Sequence, residues 1–278
     1  DTTDTEVTNT NRFTLSNGGK TMTIPQGSNI INSSAGSSYV VWGWKAGGAA
    51  VSNTDGSITS QVSANTDAGF SIVKYAGQIA TGQSGVDTVG HGLSAEPELV
   101  IIKSLDIDVW WGVYHKDISQ SGKYLKLNET SAQLTPSNSN DIWGNGMTSD
   151  VIGIGDSGGV NRDTSDYIAY CFHSVDGYQK VGSYTGTGAN DNTVTTGFRP
   201  RWVLIKNTTS GTSSSWWIVD AVRNTSNPRN NRLVADQNFS ETTYTPANLD
   251  FDDNGFSLDG SYHGTNALNN VYIYLAIA

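Results

Sequence analysis

The sequence predicts an all-β protein: two tandem, related antiparallel β-sandwich units that follow a short β-rich N-terminal segment. The composition, the spacing of short apolar runs and an internal repeat all support this prediction. Among the 278 residues, Gly is frequent at 31 and charged residues make up only 15%, while Ser, Thr and Asn fill most polar positions. Such a chain favours short strands joined by turns, and no amphipathic pattern exceeds about two helical turns.

The internal repeat defines the units. Landmarks in one half of the chain recur in the same order in the other half: "EPELVIIK" from Glu96 with "RPRWVLIK" from Arg199, "WWGVYHK" from Trp110 with "WWIVDAV" from Trp216, and "DYIAYCF" from Asp166 with "VYIYLAI" from Val271. Each unit is about 105 residues long, which is a usual size for a domain. This spacing places the units at residues 69–175 and 176–278, after an N-terminal segment at 1–68.

Strands are predicted inside each unit. Continuous apolar runs at 99–103 and 202–206 indicate strands that are covered on both faces. Asn145-Gly146 and Asn254-Gly255 suit tight hairpins, because Asn and Gly tolerate positive φ.

The N-terminal segment shows its own pattern. "NRFTLSNGGKTMTI" at 11–24 predicts two short strands around a turn. "YVVWGWKAGG" at 39–48 resembles the closing strand of each unit. It is either the last strand of an upstream copy or a strand lent to a neighbour. The polar, turn-rich residues 49–69 predict a connecting segment that runs across the protein surface.

Charge and cysteine content narrow the function classes. A net charge of −10 without a basic run disfavours nucleic acid as a partner. No apolar run approaches the length needed for membrane insertion. The single cysteine, Cys171, excludes an intrachain disulfide.

The loop "GDSGG" at 155–159 resembles the segment around the nucleophile of trypsin-like serine proteases. A nucleophilic Ser157 needs a histidine base and a carboxylate that orients it. The Ala-Ala-His-Cys context that supplies this histidine in that family is absent. In the second unit the same place holds "DGSYHGTNALNN", which shares only turn composition. We therefore interpret 155–159 as a loop and predict no catalytic residue.

Metal and glycosidase sites are also weakly supported. Asp250, Asp252 and Asn254 match the first half of a calcium-binding loop, but its twelfth position is Ser261 rather than Glu. The alternative is an acidic hairpin. The four histidines show no metal-ligand spacing, and the five glutamates show no paired arrangement typical of glycosidases. We predict no cofactor.

The tryptophan pairs are candidate ligand contacts. Neighbouring side chains of a strand point to opposite faces, and side chains two positions apart share a face. If Val113 and Val219 point inward, Trp111 and Trp217 therefore point inward as well. Trp110 and Trp216 then face outward, where an indole offers a flat platform for a sugar ring. Trp143, in the turn "DIWGNG", is a third candidate. The alternative is that each ring packs under a loop or against a neighbouring unit or subunit.

Several phrases together resemble tail-fibre and other virion proteins of marine and cyanobacterial bacteriophages. They include "VSANTDAGFSIVKY", "TVGHGLSAEPELVIIK", "YIAYCF" and "TGFRPRWVLIK", and the resemblance covers about residues 39–278. It implies a virion structural protein of the host-recognition apparatus, without enzyme activity. It also implies a homotrimer, by analogy with phage fibres. It transfers no binding residues.

Three functional hypotheses follow. The first is a tail-fibre module on the virion surface that binds a host cell-surface polysaccharide or receptor, alongside other virion subunits. The alternative is a purely structural virion component, such as a head fibre, a decoration protein or a fibre shaft. An enzyme that degrades host glycan is the third hypothesis, disfavoured by the missing acids.

Overall fold

The structure, a computed structural model, describes residues 3–6, 13–17, 21–24, 36–118, 122–136, 142–210, 214–245 and 248–278. Within these ranges the strands form antiparallel sheets, and the only helical element is a 3-10 turn at Thr66–Ala68. Across the same residues, no helix has the length and apolar character needed to span a bilayer. The prediction of an all-β chain of the sandwich class is confirmed.

The first half of the chain contains a hairpin, a large sheet and a small sheet. Its strands are β1 (Thr14–Ser16), β2 (Thr21–Thr23), β3 (Val51–Asn53), β4 (Ser60–Asn65), β5 (Phe70–Ala76), β6 (Asp87–Gly90), β7 (Leu99–Ser104), β8 (Gly112–His115), β9 (Leu125–Lys126), β10 (Val151–Ile154) and β11 (Asp166–Phe172). β1 and β2 form the predicted N-terminal hairpin. The first large sheet has the order β3-β4-β5-β11-β7-β8-β9, and β10 pairs with β6 in the first small sheet.

The second half also contains a large sheet and a small sheet. Its strands are β12 (Gln179–Thr185), β13 (Asn192–Thr195), β14 (Trp202–Asn207), β15 (Trp217–Asp220), β16 (Asn231–Val234), β17 (Thr242–Thr243), β18 (Leu249–Asp252), β19 (Gly255–Leu258) and β20 (Val271–Ile277). The second large sheet has the order β12-β20-β14-β15-β16-β17, and the second small sheet has the order β13-β19-β18.

Three apolar layers join the four sheets. Alternate residues of β7 pack against β10 of the first small sheet, and alternate residues of β14 pack against β19 of the second. The remaining faces of the two large sheets meet in one shared core, where Leu99 and Ile101 lie with Trp202 and Leu204. All side chains of β7 and β14 are therefore buried, as their continuous apolar runs predict.

Five strands of the first large sheet match five strands of the second in order and in pairing. β5-β11-β7-β8-β9 and β12-β20-β14-β15-β16 have the same order and the same antiparallel pairings. Tyr167 stacks on Tyr75 at a centroid distance of 5.3 Å, and Tyr272 stacks on Tyr184 at 5.0 Å. Descent of the two units from one copied ancestor stays a prediction.

Residues 51–65 are not the surface crossing that their polarity predicts. They form β3 and β4, and β4 pairs with β5 over six residues. Ser60 and Val62 face the core, whereas solvent positions carry polar residues. A strand with one wet face keeps a polar composition, which explains the wrong prediction. The first large sheet thus begins N-terminal of the predicted boundary at residue 69.

Candidate functional site

The strand pairings decide how the two tryptophan pairs correspond. β8 on β7 and β15 on β14 place Val113 and Ile218 at matching positions. The residues two positions earlier, Trp111 and Trp216, therefore correspond. The sequence alignment that matched Trp110 with Trp216 is one residue out of register. Since side chains alternate along a strand, this shift moves the predicted face to the opposite side.

Trp216 does not face outward as predicted, and Trp143, the third candidate for ligand contact, is buried as well. Trp216 is 1% exposed in the shared core, and its Nε1 donates to the carbonyl of Lys126 at 2.9 Å. Trp143 is 4% exposed between the first small and first large sheets, and its ring meets Tyr114 edge-on at 5.6 Å. Neither indole presents a face to a ligand.

Trp110 is half-buried and fills a depression on the flank of the first unit. Its ring lies 5.3 Å from the ring of Tyr124, and Nζ of Lys126 lies 5.8 Å from its centroid. It also covers Gly112 and Gly159, where an added Cβ would collide with the indole. Glycine at these two positions therefore makes room for the tryptophan.

In the second unit the indole of Trp217 lies over Gly264, as that of Trp110 lies over Gly159 in the first. Ser215 takes the place of Trp110, and Trp217 stands where the first unit has Gly112. A cleft of about 190 Å³ lies beside Ser215, and we call it the unit-2 cleft. Its wall includes Ser215, Arg232, Gln237, Phe239, Thr242 and Tyr262.

Arg232 organises the wall of the unit-2 cleft. Its guanidinium carbon lies 4.1 Å from the ring centroid of Trp217 and 4.5 Å from that of Tyr244. Nη1 donates to the hydroxyl of Tyr262 at 3.2 Å, and Nε donates to Oγ1 of Thr242 at 3.4 Å. Cation–π contacts and hydrogen bonds thus fix a planar, charged group among aromatic rings before any ligand arrives.

The rim of the unit-2 cleft combines an exposed ring with polar side chains. Phe239 is 66% exposed. Nε2 of Gln237 donates to Oγ of Ser215 at 3.1 Å, which orients the amide at the cleft edge. The cleft therefore offers flat apolar faces and hydrogen-bonding groups within one small depression.

A second cleft lies at the seam between the units. It measures about 370 Å³ and is lined by Asp117, Lys123 and Gln133 from the first unit and by Thr208 and Thr209 from the second. Polar side chains dominate this seam cleft, and none of the described residues that line it is aromatic. It offers hydrogen bonds but no stacking platform.

The weak calcium candidate at Asp250, Asp252 and Asn254 forms the acidic hairpin that was its alternative. Asp250 and Asp252 lie in β18, paired with Ser257 and Gly255 of β19. Burial, reinforced by Asp252 and Asp259, raises the pKa of the Asp250 carboxyl. Among the described residues, no three His, Cys, Asp or Glu side chains converge as a metal site. Pairing in a strand holds the backbone extended, so the acids do not curl around a central point.

The loop at 155–159 is a turn locked by buried polar groups. The hydroxyl of Tyr167 donates to the carbonyl of Gly158 at 2.7 Å and accepts from the backbone N–H of Arg162 at 2.9 Å. Asn161 accepts the backbone N–H of Gln78 on its Oδ1 at 2.9 Å. The turn interpretation of GDSGG agrees with this bonding.

The second unit locks its loop with the same set of bonds. The hydroxyl of Tyr272 donates to the carbonyl of His263 at 3.0 Å and accepts from the N–H of Ala267 at 2.8 Å. Oδ1 of Asn266 accepts the N–H of Thr187 at 2.9 Å. By this correspondence, Ser157 of the first unit occupies the position equivalent to that of Tyr262, a wall residue of the unit-2 cleft.

Substitutions in the GDSGG loop test its role. Gly159→Ala adds a methyl group that overlaps the indole of Trp110, so we expect a loss of about 1–3 kcal/mol in the free energy of unfolding. Ser157→Ala removes only a long bond that its Oγ accepts from Gly159 N–H at 3.3 Å, so we expect a loss below about 1 kcal/mol. Urea unfolding of both variants compares them, and equal losses would contradict the packing role of Gly159.

Sequence reasoning missed the residues that form the unit-2 cleft. Arg232 and Tyr262 come from separate segments, as does Tyr244, whose ring contacts Arg232. Phe239 sits in a polar loop without periodicity. The available signal was the difference between the units, since Ser215 and Trp217 replace Trp110 and Gly112. That signal appears only when the two strands are aligned in the correct register.

A comparison with protein families gives one match. The family model described as a domain of unknown function, DUF7483, matches residues 1–278. The chain belongs to this family. No curated protein matches the chain, and neither does any solved structure. Family membership thus adds no activity, ligand or partner, and a function must be argued from the clefts.

Proposed function

We propose that the chain is part of a bacteriophage tail fibre or another virion surface protein, and that it binds host cell-surface polysaccharide through the unit-2 cleft. The observation that carries the proposal is the arginine held among aromatic rings beside an exposed phenylalanine. The resemblance of residues 39–278 to phage virion proteins supports the location. The proposal includes no catalytic step and no cofactor.

The chemistry of the unit-2 cleft suits a sugar. One face of a pyranose ring is apolar and packs on an aromatic side chain, here Phe239 or Tyr262. Its hydroxyls need donors and acceptors, which Arg232, Gln237 and Thr242 supply. The ring of Tyr262 and the guanidinium of Arg232 lose little conformational freedom on binding, because they are already held.

The small size of the unit-2 cleft indicates weak binding at each site. Its 190 Å³ is below the range of about 300–1,000 Å³ that encloses drug-sized ligands. Polysaccharides repeat the same sugar many times, so a particle that carries many copies of the cleft gains affinity by avidity. The homotrimer implied by the resemblance would multiply the sites further.

A purely structural virion component is the second candidate. It is favoured by exposed apolar side chains away from the unit-2 cleft, among them Val51 at 65% and Val222 at 74%. Such side chains suit contacts with other virion subunits. This candidate predicts that the isolated protein binds no host polysaccharide.

Binding to a panel of bacterial surface polysaccharides tests the proposal. We expect Phe239→Ala to weaken binding about tenfold, the loss of roughly 1.4 kcal/mol of stacking. Tyr178→Ala is the matched control, because Tyr178 is an exposed aromatic outside the cleft at 41% exposure. Equal binding by both variants would remove the cleft from the proposal. Failure of the wild type to bind any polysaccharide or to block adsorption of particles would favour the structural candidate.

A further inference from the structure

A buried lysine joins the first unit to the second. Lys206 is 0% exposed, and its Nζ donates to the carbonyl of Glu129 at 3.3 Å. The backbone N–H of Gln133 donates to the carbonyl of Thr208 at 3.0 Å. The segment 129–133, which we call the docking loop of the first unit, thus attaches to the end of β14.

The N-terminal residues attach to the first unit in the same way. Lys103 is 4% exposed, and its Nζ donates to the carbonyl of Thr3 at 3.2 Å. The N–H of Glu6 donates to the carbonyl of Leu105 at 2.7 Å, just beyond the end of β7. Residues 3–6 therefore make on the first unit the contacts that the docking loop makes on the second. Contacts of this kind are directional, from one unit to the next, rather than two-fold.

The segment 40–46 adds a third strand-like element to the shared core. Its exposure alternates, with Trp42 and Trp44 inward. Trp44 meets Trp202 edge-on at 5.4 Å, and Nε1 of Trp42 donates to a carboxylate oxygen of Asp220 at 3.3 Å. β11 and β20, the closing strands of the two units, contribute to the same core in the same manner.

The segment 40–46 differs from these closing strands in its edges and outer face. β11 pairs with β5 and β7, and β20 pairs with β12 and β14. No backbone–backbone hydrogen bond joins residues 40–46 to any other residue that the structure describes. Val41, on the outer face, is 59% exposed, whereas the outer residues of β11 and β20 lie under the small sheets.

The hairpin β1–β2 gives a second, independent indication, because its apolar side chains also lack a covering layer among the described residues. In each unit a small sheet covers a large sheet and buries its apolar residues, such as Ile152 and Phe256 at 0% exposure. In the N-terminal hairpin, Leu15 is 59% exposed and the adjoining Phe13 is 51% exposed. An apolar hairpin of this type has no large sheet beneath it among the described residues.

We propose that residues 3–6, the hairpin β1–β2 and the segment 40–46 are the second half of a third unit, in which they act as docking loop, small-sheet hairpin and closing strand. In the first unit these parts follow each other in this order, and in both units the strands that flank the closing strand precede it. The flanking strands of the third unit therefore belong to polypeptide N-terminal to Asp1 in a longer protein. The segment 40–46 is then a site where two antiparallel strands with apolar side chains add by backbone pairing.

Amide hydrogen exchange compares the chain 1–278 with the longer protein. We expect the amides of residues 40–46 to exchange at least about 100-fold more slowly in the longer protein, because backbone pairing protects them. Val41→Asp should lower the unfolding midpoint of the longer protein and leave that of 1–278 unchanged. Val222→Asp, at an exposed position, is the control and should be neutral in both.

Each other outcome overturns the proposal. Fast exchange at 40–46 and a neutral Val41→Asp in the longer protein would show that no strand adds there. If 1–278 alone protects these amides in a concentration-dependent dimer that Val41→Asp dissociates, the occupant is a second copy. A mature protein that begins at Asp1 would also contradict it.

Discussion

Replacement of Trp216 by alanine should destabilise the protein by about 3–5 kcal/mol, the usual loss for a buried tryptophan. The indole fills the shared core, and its Nε1 bonds the carbonyl of Lys126 in the other unit. The ammonium of Lys206 lies 5.6 Å from its ring centroid. Alanine leaves a cavity, an unsatisfied carbonyl and a buried cation without its aromatic partner. Urea unfolding followed by tryptophan fluorescence and circular dichroism measures the loss.

Trp110→Ala is the matched control for Trp216→Ala. Trp110 is half-buried on the flank of one unit, so its removal should cost less and should leave contacts between the large sheets intact. If Trp216→Ala costs less than about 1 kcal/mol, the shared core does not hold the units together as described. A separate unfolding step for each unit in the Trp216 variant would identify this core as the coupling between them.

Acid should destabilise the protein between pH 6.5 and about 4 through His115. Burial lowers the pKa of this imidazole to about 4, although Asp117, with a carboxylate 4.0 Å from Nδ1, and Glu98 oppose the shift. The unfolded chain takes up the proton near pH 6.5, whereas the folded chain resists it. The contribution of His115 to the free energy of unfolding is therefore fully present above pH 6.5. It is lost as the pH falls to about 4, by up to about 3 kcal/mol.

His115→Asn isolates this contribution. The asparagine does not titrate, and its Oδ1 can still accept the N–H of Asp117, which Nδ1 of His115 accepts at 3.2 Å. We expect the free energy of unfolding of the variant to fall less steeply between pH 7 and pH 4 than that of the wild type. Parallel curves for the two proteins would show that His115 titrates normally. Carboxylates contribute equally to both curves, so the difference reports the histidine.

Much of the fold was predictable because local patterns and tertiary structure agree. The runs at 99–103 and 202–206 have no polar face, so only a strand between two layers suits them. Asn145 and Gly146 adopt positive φ of 52° and 71°, as their turn requires. Tyr167 and Tyr272 could be matched from sequence because each sits in an apolar strand with few alternatives.

The candidate site was less predictable because it depends on register and convergence. Two adjacent tryptophans leave the strand register ambiguous by one residue, and one residue decides which indole is buried. The ring of Tyr262 reaches Arg232 only after the chain has crossed from the large sheet to the loop before β20. Neither contact leaves a pattern along the sequence.

The tyrosine–asparagine lock of the loop before each closing strand separates shape from recognition. Tyr167 and Tyr272 hold the backbone through its own carbonyl and amide groups, so the side chain at the loop apex contributes little to maintaining the turn. Serine occupies that apex in one unit and tyrosine in the other. In the first unit the apex is consequently a position where substitution changes the surface chemistry at small cost to folding.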